Sequence, residues 1–231
     1  MTSTGTTTST TTTAAAAAPT VASATGLTAD PLRFGVGARV TVAVMSDRYA
    51  EVVLGALEHA DPRGLALQTG DVSTYAGGSE ADLLAWLTDL GEAVAASGEH
   101  ASITVHLSRG CPGEVVCDLP GGAGPRPVEA PAGREVGRYA AAEWALYPLA
   151  DDVRAGVEPD HMRDIYAAIE TARANGTFRA SEHFVTRLEG DLGTILATVV
   201  AGWTGVGRTV QHVTSHLTVS VNSPSHRDVA A

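Results

Sequence analysis

Aromatic side chains make up only 5% of this 231-residue chain, cysteine occurs twice, and 15 lysine and arginine residues stand against 26 aspartate and glutamate residues. Each scarcity removes a class of function. A net charge of −11 does not suit nucleic acid or an anionic membrane surface, because phosphate binding runs on clustered Lys and Arg. Cys111 and Cys117 have no neighbouring His or Cys at zinc-ligand spacing. They are expected as free thiols in a reducing compartment, with a structural disulfide as the alternative. No segment approaches the roughly twenty unbroken apolar residues that span a bilayer, so no membrane insertion is expected. Residues 1–26 lack the basic start and apolar core of a secretory signal, and the cytoplasm is the expected location. There is no G-x-S-x-G elbow, P-loop or H-E-x-x-H. The chain is therefore read as a non-enzyme, with no catalytic residue, metal or cofactor expected.

Ala, Gly, Thr and Val dominate instead, which suits a globular interior built from small and β-branched side chains. Residues 1–32 are Thr- and Ala-rich without periodicity, the composition of a disordered tail. Residues 118–136 are packed with Pro and Gly and form a linker. The segments on either side of that linker, 33–117 and 137–227, are copies of one another. A shift of 112 positions lays Val53 on Ile165, Leu57 on Ile169, Thr74 on Thr186, Gly78 on Gly190 and His100 on His212. Ahead of the first helix the shift is 104, so the second copy carries eight extra residues within Asp152 to Met162.

Each copy reads β-α-β-β-α-β. In the first, Val40, Val42 and Val44 alternate with smaller or polar residues as a strand covered on one face. A helix follows from Tyr49 to Ala60, with Val53, Leu54 and Leu57 on its apolar side. Two short strands, Gly64–Thr69 and Val72–Ala76, flank Gly70-Asp71. Ser79 caps a second helix bearing Leu83, Leu84, Leu87 and Val94, and Ser102–Ser108 is the last strand. The second copy repeats the order with strands at Trp144–Leu149, Thr177–Ala180, Phe184–Leu188 and Val213–Val221, and helices around Ile165 and over Asp191–Val206. This is an α+β chain of two tandem ferredoxin-like, ACT-like repeats with antiparallel sheets.

Helices can cover only one face of such a sheet. In the final strands the other face carries Ser102, Thr104, His106 and Ser108, then Thr214, His216, Thr218 and Ser220. A row of this kind is either solvated or meets another sheet, from the sister repeat or a second subunit.

Several stretches resemble the YkoF family of thiamin- and hydroxymethylpyrimidine-binding proteins. In the first repeat the similar run is His100 to Glu114, ending in Gly110-Cys-Pro-Gly. In the second they are Trp144-Ala-Leu-Tyr-Pro-Leu149, Asn175-Gly-Thr-Phe178, His183, Leu188-Glu-Gly-Asp191 and Asn222-Ser-Pro-Ser225. The resemblance implies a non-catalytic, homodimeric binder of thiamin or its hydroxymethylpyrimidine half, associated with precursor uptake or salvage. A ferredoxin-like regulatory module that senses another small ligand or a partner protein is the alternative.

Thiamin joins a flat aminopyrimidine to a cationic thiazolium, so its pocket needs a ring face, a few directed polar groups and no unpaired positive charge. Trp144 and Tyr147 can supply the face, and His183, Thr186, Ser220 and Asn222 the hydrogen bonds. Glu143 and Glu189 can offset the thiazolium charge. Asp71 and Thr74 are the first-repeat counterparts of His183 and Thr186. Trp144 and Tyr147 should point to opposite faces of their strand, which leaves at least one of them to ordinary core. Asn222-Ser-Pro-Ser also fits a strand-ending turn. The first repeat has Val42-Ala-Val-Met45 where the second has its aromatic-Pro step, so its pocket should be weak, altered or empty.

Overall fold

A computed structural model describes residues 28–111, 124–149 and 160–228. The expected tail up to residue 27, Cys117 and most of the eight-residue insertion lie outside the described residues. The first repeat runs β1 (Gly37–Val44), α1 (Tyr49–His59), β2 (Ala66–Thr69), β3 (Thr74–Gly77), α2 (Glu80–Ala96) and β4 (Ala101–Arg109). The second runs β5 (Tyr139–Leu149), α3 (His161–Ala174), β6 (Phe178–Ser181), β7 (Thr186–Asp191), α4 (Leu192–Val206) and β8 (His212–Val221). Both follow the ferredoxin-like order. A short helical turn, Pro31–Phe34, straddles the expected boundary at residue 32 between the tail and the first repeat.

Local chemistry sets the boundaries. Ser79 accepts a hydrogen bond from the Asp82 N–H at 3.1 Å and opens α2, while Asp191 accepts from the Thr194 N–H at 3.0 Å and opens α4. β3 and β7 begin two residues later than the alternation suggested. Residues 71–72 and 183–184 are turn tips, closed by Gly70 N–H to Ser73 O at 3.1 Å and Glu182 N–H to Val185 O at 3.0 Å.

All eight strands form one antiparallel sheet in the order β2-β3-β1-β4-β8-β5-β7-β6. The repeats join edge to edge through β4 and β8, from Ala101 opposite Val221 to Arg109 opposite Val213. The sister sheets therefore do not face one another. His106 and His216 sit side by side as cross-strand partners at the centre of one continuous surface. The helices pack on the opposite face, where Ile103, Val105, Leu107, Leu217, Val219 and Val221 are buried beneath Leu83, Leu87, Leu90, Ile195, Leu196 and Val199. Each such side chain contributes about 1.5–3 kcal/mol.

Helix α1 departs from its expected stripe. Val52 and Ala56 enter the core, Leu54 is 66% exposed, and Val53 and Leu57 turn toward a cavity.

Residues 124–136 run without helix or strand and are fastened by a buried ionic cluster. Glu80 accepts from Arg126 Nη1 and lies 3.4 Å from Arg109 Nη1, while Arg109 Nη2 donates to the Arg126 carbonyl. The Arg109 guanidinium also lies 5.8 Å from the Phe34 ring centroid and 5.6 Å from that of Trp203. Burial lowers its pKa to about 10, opposed by Glu80 and reinforced by Arg126, which leaves it cationic at neutral pH.

Candidate functional site

Each repeat contains a gap in its sheet at the same place. β5 pairs with β8 as far as Leu149, but its ladder with β7 ends at Trp144 opposite Thr186. β1 likewise pairs with β4 to Val44, but with β3 only to Val40 opposite Thr74. Beyond these points the hairpin β2–β3 or β6–β7 splays from the first strand and the first helix closes the wedge. Among the described residues, part of the first strand's edge, with its N–H and C=O groups, has no ladder partner on that side.

Both wedges are cavities, and six of their wall positions correspond. The first, about 150 Å³, is walled by Val40, Val42, Val53, Leu57, Val72 and Thr74 among others. The second, about 350 Å³, has Trp144, Leu146, Ile165, Ile169, Phe184 and Thr186 at the equivalent positions. The larger volume lies within the range of small-molecule sites. Its mouth is ringed by half-exposed Tyr147, Met162 and Tyr166 and by Phe184, 94% exposed.

The difference in size has a visible cause. In the first repeat Thr41 Oγ1 donates to the Val72 carbonyl at 3.1 Å and Arg39 Nη1 donates to Ser73 Oγ at 3.2 Å, tying the hairpin tip to β1. Ala145, Glu143 and Val185 stand at the corresponding places in the second repeat and offer neither bond.

A model of the YKOF-related family matches residues 35–114 and again 139–226, one match for each wedge-bearing repeat. The chain belongs to that family. A relative from Bacillus subtilis (strain 168), named "Putative HMP/thiamine-binding protein YkoF", is 29% identical over 196 residues, covering 83% of this chain and 92% of that one.

The structure gathers some of the candidate site residues and scatters others. Trp144, Tyr147 and Thr186 line the second cavity, and Asp71 and Thr74 line the first. Trp144 is buried and its indole N–H donates to Ser215 Oγ at 2.8 Å, so it forms the floor with its orientation fixed. Tyr147 points to the other strand face and stands at the rim, 49% exposed. Thr186 is buried beside the gap, as is Thr74, whose hydroxyl lies 3.1 Å from that of Thr69.

His183 sits in the hairpin turn rather than at a strand start, with its ring 6.3 Å from that of Phe184. Ser220 lies on the open sheet face, 3.4 Å from His100 Nε2. Asn222 adopts φ 53° and its amide donates to the carbonyls of Ala95 at 2.9 Å and Glu99 at 3.0 Å. It ties the end of β8 to the end of α2, away from either cavity. Glu189 is engaged by Arg187 at 2.7 Å, and Glu143 is the cross-strand partner of Arg187 on the open face. Neither lines the cavity.

Sequence reasoning missed Phe184, Tyr166 and Met162 as wall residues. The signal was present in the register, since Val53/Ile165 and Leu57/Ile169 recur at apolar positions that the core does not fully absorb.

Proposed function

We propose that the chain binds thiamin or its hydroxymethylpyrimidine half, without catalysis, in the wedge of the second repeat. The observation that carries this reading is the pair of equivalent cavities, of which the second is larger and aromatic-walled. A flat aminopyrimidine needs an apolar slot and hydrogen-bond partners at its edge. Trp144, Leu146, Ile165 and Ile169 furnish the slot, and the Thr186 hydroxyl and the unladdered edge of β5 furnish partners. Glu182 at the mouth and the overall charge of −11 suit the thiazolium cation. The name of the Bacillus subtilis relative supports the same ligand class.

The protein works as a homodimer, with a second copy laid over the open sheet face. That face is built of small polar side chains, and its equivalent first-strand positions carry opposite charges, Arg39 and Glu143. Turning the second copy about an axis along the central strands sets the first repeat of each over the second repeat of the other and brings these charges to the same side. A cytoplasmic role in uptake or salvage of the pyrimidine precursor accompanies this reading.

Titration calorimetry with thiamin, hydroxymethylpyrimidine and pyrithiamin is the test. Saturable heat with the first two is expected, and no heat at millimolar ligand overturns the proposal. A thermal-shift panel that includes amino acids distinguishes a regulatory sensor, since a ligand of the native state raises the melting temperature.

A further inference from the structure

Phe184 is an outlier in three respects. It is the most exposed large hydrophobic residue described, at 94%. It adopts φ 69°, and it occupies the second of the two residues enclosed by the Glu182–Val185 hydrogen bond, a turn position where left-handed backbone favours glycine. It also borders the larger cavity. A bulky ring held in strained backbone and left in water is disfavoured twice, and such strain gathers where a side chain has work to do.

The first repeat sharpens the point. Its equivalent residue is Val72, 80% exposed, which is not among the positive-φ residues and whose carbonyl is held to β1 by Thr41 at 3.1 Å. One tip is tied down and carries no ring. The other lacks both ties and carries one.

We infer that Phe184 is the ring-stacking cap of the second cavity, and that Val72 in its place confines flat-ring binding to one site per chain. A planar heterocycle entering between α3 and the end of β5 meets Trp144 at the floor, and Phe184 closes over its outer face. Stacking then recovers the apolar surface that the free protein leaves in water. The first cavity, smaller and without an aromatic wall, has no such closure.

This inference rests on the proposed thiamin reading, and calorimetry with thiamin on the full chain separates the two. The unmodified protein should take up one thiamin per chain. Phe184→Ala and Phe184→Gly should each weaken binding at least tenfold, and Phe184→Trp should stay within threefold. The melting temperature of the ligand-free Phe184→Gly protein should be unchanged or higher, because glycine relieves the backbone, so its lost affinity does not come from unfolding. Two sites of equal affinity per chain, or an alanine variant that binds as tightly as the parent, overturns the inference and leaves the thiamin reading standing. So does an alanine variant whose only change is loss of the dimer by sedimentation, which would make Phe184 a subunit contact. No binding by the unmodified chain removes the reading and the inference together.

Discussion

The clearest division of labour at the residue scale is between Trp144 and Tyr147. They lie three positions apart on β5 and so point to opposite faces of the sheet, as the alternation of a strand requires. Yet both border one cavity, because the ladder with β7 stops between them and the wedge opens around the strand's edge. Trp144 is fixed by Ser215, whereas Tyr147 stands half-exposed at the rim. Tyr147→Ala should therefore weaken thiamin binding by about 1 kcal/mol, the order of one aromatic contact, with the melting temperature almost unmoved. Calorimetry beside a melting curve checks both halves, and full affinity in the variant places the ligand deeper than the rim. The aromatic-Pro step was legible because residue type alone advertised it. Ser220 and Asn222 misled for a complementary reason. Both stand at the end of β8 with side chains suited to a ligand, but one lies on the open sheet face and the other is spent on the carbonyls of Ala95 and Glu99. Sequence shows what a side chain can bond, not which backbone group reaches it first.

At the scale of elements, the order and number of helices and strands could be read almost whole from periodicity and from the 112-residue register. What escaped were the start of β5, which begins at Tyr139 and not Trp144, and the pair of hairpin tips, where a two-residue turn displaced the start of β3 and β7. Hydrophobic alternation continues through Val72 and Phe184 and gives no sign that the ladder has ended. Capping was visible and can be tested. Asp191 opens α4 and its carboxylate also accepts from the backbone N–H of Gly137 at 2.7 Å and of Val136 at 3.1 Å, so one side chain joins a helix start to the entry of β5. Burial alone would raise its pKa, but hydrogen bonds from the Thr194, Val136, Gly137 and Arg138 N–H groups outweigh it and hold the carboxyl below its ordinary value. The folded pKa lies below the unfolded one, so the stabilisation is complete above the unfolded value of about 3.9 and fades as pH falls through the folded value. Asp191→Ala should cost about 1–2 kcal/mol at neutral pH. That gap should narrow as pH drops from 5 to 2. Urea unfolding of both proteins across this range measures it, and a gap that does not change with pH removes the carboxylate's charge from the account.

For the whole molecule, the decisive fact is that duplication produced one eight-stranded sheet instead of two facing ones. The polar row on β4 and β8 marked a face that helices leave bare, but period-two patterning has no term for what lies opposite. Only the β4–β8 ladder shows that His106 and His216 are neighbours within a single surface. Eight strands at a spacing of about 4.8 Å span nearly 40 Å, room enough for the roughly 800 Å² per partner of a standard interface. Near its centre Thr104 and Thr218 are cross-strand partners, small enough to let a second sheet approach to the usual separation of about 10 Å. An arginine there would push a long charged side chain into that space from both copies. Thr218→Arg is thus expected to sediment as a single chain at concentrations where the parent sediments as a dimer. Its circular dichroism should not change, because position 218 faces away from the helices, and its thiamin affinity should persist if each wedge is complete within one chain. A parent protein that already sediments as a monomer would dismiss the sheet-face dimer, and a variant that stays dimeric would move the interface to another surface.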